Sequence, residues 1–177
     1  IEHIPTFNGS GIVYVLTQRD ARVVSQWLNQ NGINSNAYYS GVEDDSFANG
    51  DEYRVFLENQ LLENKIKVLV ATSALGMGFD KSDLGFVVHY QAPGSIISYY
   101  QQVGRAGRGI DEAYGVLLSG HEDDNIHDFF RGSSFPKEEN INIVLNQLGK
   151  SNGLSIIELQ KELNITQGEV EKTLKYL

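Results

Sequence analysis

The chain has 177 residues, 41% of them hydrophobic, enough to bury one good-sized core with room for a small appendage and too many for wholesale disorder. No apolar run approaches the roughly 18 residues of a membrane span and no signal peptide opens the chain, so no membrane partner is expected. The lack of cysteine excludes disulfide frameworks, thiolate zinc sites and cysteine nucleophiles. Fourteen basic against 23 acidic residues leave a net charge of −9, which argues against broad electrostatic adhesion to nucleic acid. The chain opens on Ile1 rather than Met, which reads as a fragment or a processed product.

Strand-like and helix-like segments alternate over the first three quarters. Gly11–Leu16 is a continuous apolar run of strand length, as expected for a strand buried on both faces. Thr17 follows as an N-cap, and Val23, Val24, Trp27 and Leu28 recur with helical spacing up to the Asn31-Gly32 stop. Ala37–Tyr39 predicts a short second strand and Tyr53–Glu63 a helix. Further strands are expected at Lys65–Ala71, Phe86–Tyr90 and Ala113–Leu118, with a helix from about Ser95. This order implies βαβ crossovers: an α/β fold with a mostly parallel sheet and helices on both faces.

The pattern changes near Pro136, so the domains are expected at 1–135 and 136–177. The second is all-helical, with segments Glu138–Leu148, Ser155–Leu163 and Thr166–Leu177. Ser155 and Thr166 each precede a glutamate three residues on (Glu158 and Glu169), the spacing of a capping box. The last two segments, joined by Leu163-Asn164-Ile165, resemble a helix-turn-helix.

Two stretches carry chemistry. In Gln101–Arg108, glycines 104 and 107 separate Arg105 from Arg108, a turn that should expose two guanidinium groups on one side. A guanidinium is a fixed fork suited to phosphate oxygens, although the same arginines could pair with Asp111 or Glu112. In Ala71–Asp80, Thr72 and Ser73 offer hydroxyls and N–H groups to a phosphate, Gly76 and Gly78 allow close approach, and Asp80 can accept from a ribose hydroxyl. An ordinary glycine-rich loop has the same composition, and no G-x-x-x-x-G-K-[ST] occurs anywhere in the chain. His89, inside an apolar strand, reads as a satisfied core histidine, and His121–Asp124 as a solvated loop able at most to hold a cation weakly.

Val70–Thr72 with Gly78–Lys81, then Phe86–Tyr90, then Tyr99–Arg108 resemble motifs V and VI of the RecQ family of DNA helicases, and Gly11–Asp20 resembles motif IV, the opening of the second RecA-like lobe. Tyr38–Gly41 resembles a family segment that touches the DNA backbone. The resemblance covers about residues 9–120 in the family's order. It implies that Arg105 and Arg108 act as arginine fingers on an ATP held, with Mg2+, mainly by another lobe, that Gln101 holds the turn against the nucleotide, and that Gly78 and Asp80 lie at the nucleotide, with Asp80 on the ribose. It also implies a single-stranded DNA track along Thr17, Arg19, Tyr39, Ser40, Gly41 and Thr72, 3′-to-5′ movement, and a bacterial, cytoplasmic, nucleoid-associated protein. The family usually has histidine where Tyr39 stands, and its four-cysteine zinc module is excluded here. The link from Gly41 to Lys65 is longer than the family's usual one, and Phe47–Asp51 within it reads as a surface insertion. The P-loop lysine and the Asp-Glu box for magnesium are absent, so the fragment alone should not hydrolyse ATP.

Two other classes remain in view: a non-enzymatic DNA-binding or regulatory module using the C-terminal helix-turn-helix, and a Rossmann-like enzyme using Gly76–Asp80. Residues 1–136 hold 9 basic and 17 acidic residues, a net of −8, and residues 137–177 a net of −1. Any DNA track should therefore be a narrow line of hydroxyls and backbone amides rather than a basic surface.

Overall fold

The computed structural model describes residues 3–76, 78–118, 136–151 and 153–177, with residues 120, 123, 125, 127 and 128 between them. Contacts gather the chain into two units, Ile1–Asp123 and Asp124–Leu177. The boundary expected between residues 135 and 136 involves residue 135, which lies outside the described residues.

The first unit is an α/β layer structure. Strands β1 (Gly11–Tyr14), β2 (Ser35–Tyr38), β3 (Val68–Ala71), β4 (Phe86–His89) and β5 (Tyr114–Leu117) form one sheet in the order β2-β3-β1-β4-β5. Every pairing is parallel, so all five carboxyl ends lie along one edge. Each strand is four residues long, shorter than the apolar runs suggest. Beyond the strand ends the chain stays buried for a residue or so and still bonds across the sheet, as at Val15, whose N–H donates to Ala71 O at 3.0 Å.

Helix α1 (Gln18–Gln30) packs Ala21, Val24 and Leu28 against Val13, Val15, Val68 and Val70 on one face of the sheet. Helix α2 (Gly50–Leu62) packs Leu57 and Leu61 with Ile12, Leu69 and Val87 on the other. It begins earlier than the periodicity predicts, because Asn49 caps it by accepting from Glu52 N at 2.9 Å. The expected insertion is thus partly helix, and its Phe47 ring stands 5.0 Å from both Tyr53 and Phe56. No helix separates β3 from β4 among the described residues; that crossover buries Leu75, Phe79 and Leu84 in the same core as α2. Helix α3 (Ile96–Val103), capped by Ser95, leads from β4 towards β5.

The second unit contains α4 (Glu138–Gly149), α5 (Ile156–Leu163) and α6 (Gln167–Tyr176), which pack on one another. Both expected capping boxes form: Ser155 with Glu158, and Thr166 with Glu169. Val144, Leu159 and Val170 are buried. No helix among the described residues is long and apolar enough to cross a membrane.

Candidate functional site

The arginine turn follows α3 because Gly104 ends the helix, its N–H donating to Tyr100 O at 3.0 Å. Gly107 adopts φ +79, a conformation that disfavours a side chain, and its N–H donates to Leu84 O at 3.1 Å. Gly109 N donates to Ser82 O at 2.7 Å, so the turn is tied to the segment entering β4.

The two arginines do not project together, contrary to the sequence-based expectation of two exposed guanidinium groups. Arg105 is only 6% exposed, and its Nη1 and Nη2 donate to Phe79 O at 2.7 Å and Gly76 O at 2.8 Å. The Gly76–Phe79 loop turns these carbonyls inward, and buried carbonyls need donors, so the fork that spacing alone would leave outside is drawn in. Arg108 stays at the surface with its side chain 48% exposed. Its Nη1 donates to Asp80 Oδ1 at 2.7 Å and its Nε to Gly104 O at 3.2 Å. The carboxylate beside it is therefore Asp80 from the neighbouring loop, 28 residues back in the chain. Gly78 belongs to that loop, and Gln101 is exposed on α3.

Beneath the turn, Tyr14 and His89 face each other across β1 and β4, with ring centroids 5.6 Å apart. His89 Nε2 meets Gln102 Oε1 at 2.9 Å, while its Nδ1 has no hydrogen-bond partner; the expectation of a satisfied core histidine is met at one nitrogen only. Burial depresses the His89 pKa, and the Gln102 bond partly offsets this. Burial also pushes the Tyr14 hydroxyl up to about 12, against the opposing pull of the Arg105 charge.

The expected DNA residues gather at the carboxyl edge. Thr17, the Tyr39–Gly41 turn and Thr72 close the adjacent strands β1, β2 and β3, whose spacing sets them along a line of about 10 Å. Gly41 takes φ +80 to make its turn. Ser40 O accepts from Gln18 Nε2 at 2.9 Å, and the Tyr39 hydroxyl accepts from Arg22 Nη1 at 3.2 Å. The Thr17 hydroxyl donates to Asp20 Oδ2 at 2.7 Å and accepts from Asp20 N at 3.1 Å, so it is engaged in capping α1. Thr72 is 8% exposed; its N–H donates to Tyr38 O at 3.0 Å and its hydroxyl accepts from Ala74 N at 3.3 Å. Arg19 stands in the first turn of α1.

Sequence reasoning passes over Gln91, whose Oε1 accepts from Leu16 N at 2.9 Å and whose Nε2 donates to Asp20 at 3.3 Å. Its signal is a polar residue closing an apolar strand. Of the expected weak cation loop, only Asp123 is described, and its Oδ2 accepts from Ala92 N at 3.2 Å. Among the described residues no three His, Asp or Glu side chains gather as metal ligands.

A five-stranded parallel sheet in this order, with helices on its faces and an arginine turn packed against the β3–β4 loop, is the RecA-like C-terminal lobe of a helicase. The C-terminal domain of the DEAD-box protein Dbp5 superposes with a TM-score of 0.52 at 24% identity over 71% of both chains. The yeast DEAD-box splicing factor Prp28 does so with a TM-score of 0.58 at 18% identity over 74% of this chain and 29% of that one. At such identities the likeness is one of fold. Residues 2–109 match the helicase conserved C-terminal domain, and the chain belongs to that family. It is similar to the RecQ-like DNA helicase blm-1 of Caenorhabditis elegans (32% identity over 156 residues, 88% of this chain and 15% of that protein). It is also similar to the ATP-dependent DNA helicase RecQ of Synechocystis (41% over 109 residues, 62% of this chain) and of Bacillus subtilis (36% over 130 residues, 73% of this chain), spanning 21% of each.

Proposed function

We propose that this chain is the second motor lobe of an ATP-dependent DNA helicase that moves 3′ to 5′ along one strand. Its family and its likeness to ATP-dependent DNA helicases support the motor assignment. The observation that carries the site is the division of labour in the arginine turn. Arg105 is buried and committed to two carbonyls, whereas Arg108 is half exposed and held by a carboxylate at the surface.

Arg108 is thus the arginine that meets the γ-phosphate of an ATP seated on the other lobe, where it stabilises the charge that develops as the phosphoryl group departs. Arg105 is a positioning residue that fixes the Gly76–Phe79 loop. The Arg108–Asp80 pair is weak because both groups are exposed, so a phosphate can displace it at little cost. Asp80 holds Arg108 through Oδ1, which leaves Oδ2 to accept from a ribose hydroxyl. Gln101, exposed one turn before Arg105, and Gly78 complete the nucleotide face. Mg2+ would enter with the ATP, held mainly by residues of the other lobe.

At the carboxyl edge, single-stranded DNA would lie across Thr17, Arg19, Tyr39–Gly41 and Thr72. Because the threonine hydroxyls serve local bonds, backbone groups and the Arg19 side chain make most of the contact, which grips phosphate without reading sequence. ATP closes the lobes, hydrolysis reopens them, and the strand advances by that alternation.

Strand displacement by the whole protein tests this reading. Duplexes with a 3′ single-stranded tail should be unwound in an ATP-dependent reaction that Arg108→Ala abolishes. Displacement that is independent of ATP, or equally fast from a 5′ tail, would overturn it.

A further inference from the structure

The motor reading makes no use of the buried polar layer beneath the arginine turn. Tyr14 (3% exposed) and His89 (1%) stack across neighbouring strands, and Tyr99 of α3 closes on His89 from a centroid distance of 5.1 Å. Three buried polar atoms in this region lack hydrogen-bond partners: Tyr14 Oη, His89 Nδ1 and Arg105 Nε. Unpaired polar atoms cost more than an apolar layer of the same volume would, so stability alone does not account for it.

One of its bonds is well made. The Gln102 amide oxygen can only accept, so the proton of the neutral imidazole sits on Nε2 and the bare Nδ1 lone pair lies in the stack. The opposite tautomer would bury an unpaired N–H, the costlier arrangement. Gln102 is also the root of the arginine turn. Its carbonyl accepts the Arg105 N–H at 3.2 Å, and Gly104, two residues on, accepts Arg108 Nε at 3.2 Å. Apolar packing alone fixes α3 loosely about its axis: Val103 sits over Gly115 and Tyr99 on His89, but none of its residues is fully buried, and Ile96, Ile97 and Tyr100 are 72%, 66% and 68% exposed. Among the described residues, His89–Gln102 is the side-chain hydrogen bond that ties its last turn to the sheet.

We propose that His89, acting through Gln102, is a positioning residue for Arg108: the His89 Nε2–H···Oε1 Gln102 bond sets the rotation of the last turn of α3 and so the direction in which Arg108 leaves it. This rests on Arg108 being the arginine that meets the nucleotide. It extends that reading by joining the centre of the sheet to the surface arginine.

The test is single-stranded-DNA-stimulated ATP hydrolysis by the whole protein. Gln102→Met removes the acceptor at a half-buried position without creating a cavity. Its kcat should fall roughly tenfold, as small misplacements of a catalytic group do. KM for ATP should change by less than about twofold, as expected when only a transition-state contact is lost, and the melting temperature should fall by only a few degrees, the cost of the stranded imidazole N–H. Gln102→Glu, which keeps an acceptor, should restore most of the rate, and His89→Phe, which keeps the ring stack without the donor, should reproduce the loss. Wild-type kcat in Gln102→Met overturns the proposal, as does a loss that Gln102→Glu fails to restore or that is accounted for by unfolding at the assay temperature. Arg108→Ala, measured alongside, separates the two claims. If it costs turnover while Gln102→Met does not, only the positioning role of His89 falls. If it has no effect, the assignment of Arg108 falls as well.

Discussion

The two arginines of the turn should separate cleanly in a melting experiment, because one is built into the lobe and the other rests on its surface. Arg105→Ala strands the carbonyls of Gly76 and Phe79 in a buried setting. Hydrogen bonds to charged groups contribute about 1.5–3 kcal/mol each, so the loss is roughly 3–6 kcal/mol. Arg108→Ala breaks a pair whose side chains are 48% and 67% exposed. Exposed pairs of this kind contribute about 0–1 kcal/mol. For a unit of this size each kcal/mol moves the midpoint by about 3–5 °C, which predicts a fall of roughly 10–30 °C for Arg105→Ala and under about 5 °C for Arg108→Ala. Arg105→Lys should fall between them, since a compact ammonium does not reproduce the planar two-pronged geometry of the guanidinium fork. The assay is thermal unfolding of the 177-residue chain by circular dichroism, following the transition of the α/β unit. Equal shifts for the two alanine variants, or a larger one for Arg108→Ala, would refute the division of labour.

The remaining predictions concern the turn, the helical unit and the isolated chain. Gly107→Ala should lower the α/β midpoint by a few degrees, since φ +79 costs an L-residue about 1–2 kcal/mol and the new methyl would meet Ala113 Cβ at 3.1 Å; an unchanged midpoint would contradict the turn geometry. Glu158 and Glu169 titrate below their ordinary value of 4.5, because each carboxylate accepts from the backbone and hydroxyl of its capping residue. Depressed carboxylates contribute stability that is present above the ordinary value and lost as pH falls through the lowered one. Helix content of the second unit should therefore drop on acidification below about pH 4.5, and Glu158→Gln with Glu169→Gln should flatten that drop; a transition unaffected by the pair would contradict the linkage. At its net charge of −9 the chain alone should hold single-stranded DNA weakly at physiological salt and turn over no ATP. Submicromolar binding in a fluorescence-anisotropy titration, or magnesium-dependent hydrolysis, would contradict this.

The sheet was legible because buried parallel strands need unbroken apolar runs, and Gly11–Tyr14, Val68–Ala71 and Phe86–His89 supply them between polar connections. The caps at Thr17, Ser155 and Thr166 were legible because capping is local chemistry with a fixed spacing. Asn49 and Glu52 carry the same spacing, but the polar tract around them reads as a surface insertion, so the true start of α2 was obscured. In the candidate site, the arginine turn could be found from its glycines, yet the fates of its two arginines could not. Those depend on which carbonyls the Gly76–Phe79 loop turns inward, and on Asp80 arriving from another loop. The same holds for His89, whose apolar flanks indicate core while its bond to Gln102 depends on where α3 crosses the sheet. Non-local placement of polar groups is what a linear pattern leaves out.

The central claim is that Arg108 serves ATP turnover while Arg105 serves the lobe. Its most direct test is the kcat of single-stranded-DNA-stimulated ATP hydrolysis by the whole protein carrying Arg108→Ala, at saturating DNA and ATP. A fall of about 10³-fold or more, the contribution expected of an arginine finger, with the fold intact, is the predicted result. Turnover equal to that of the wild type would contradict it.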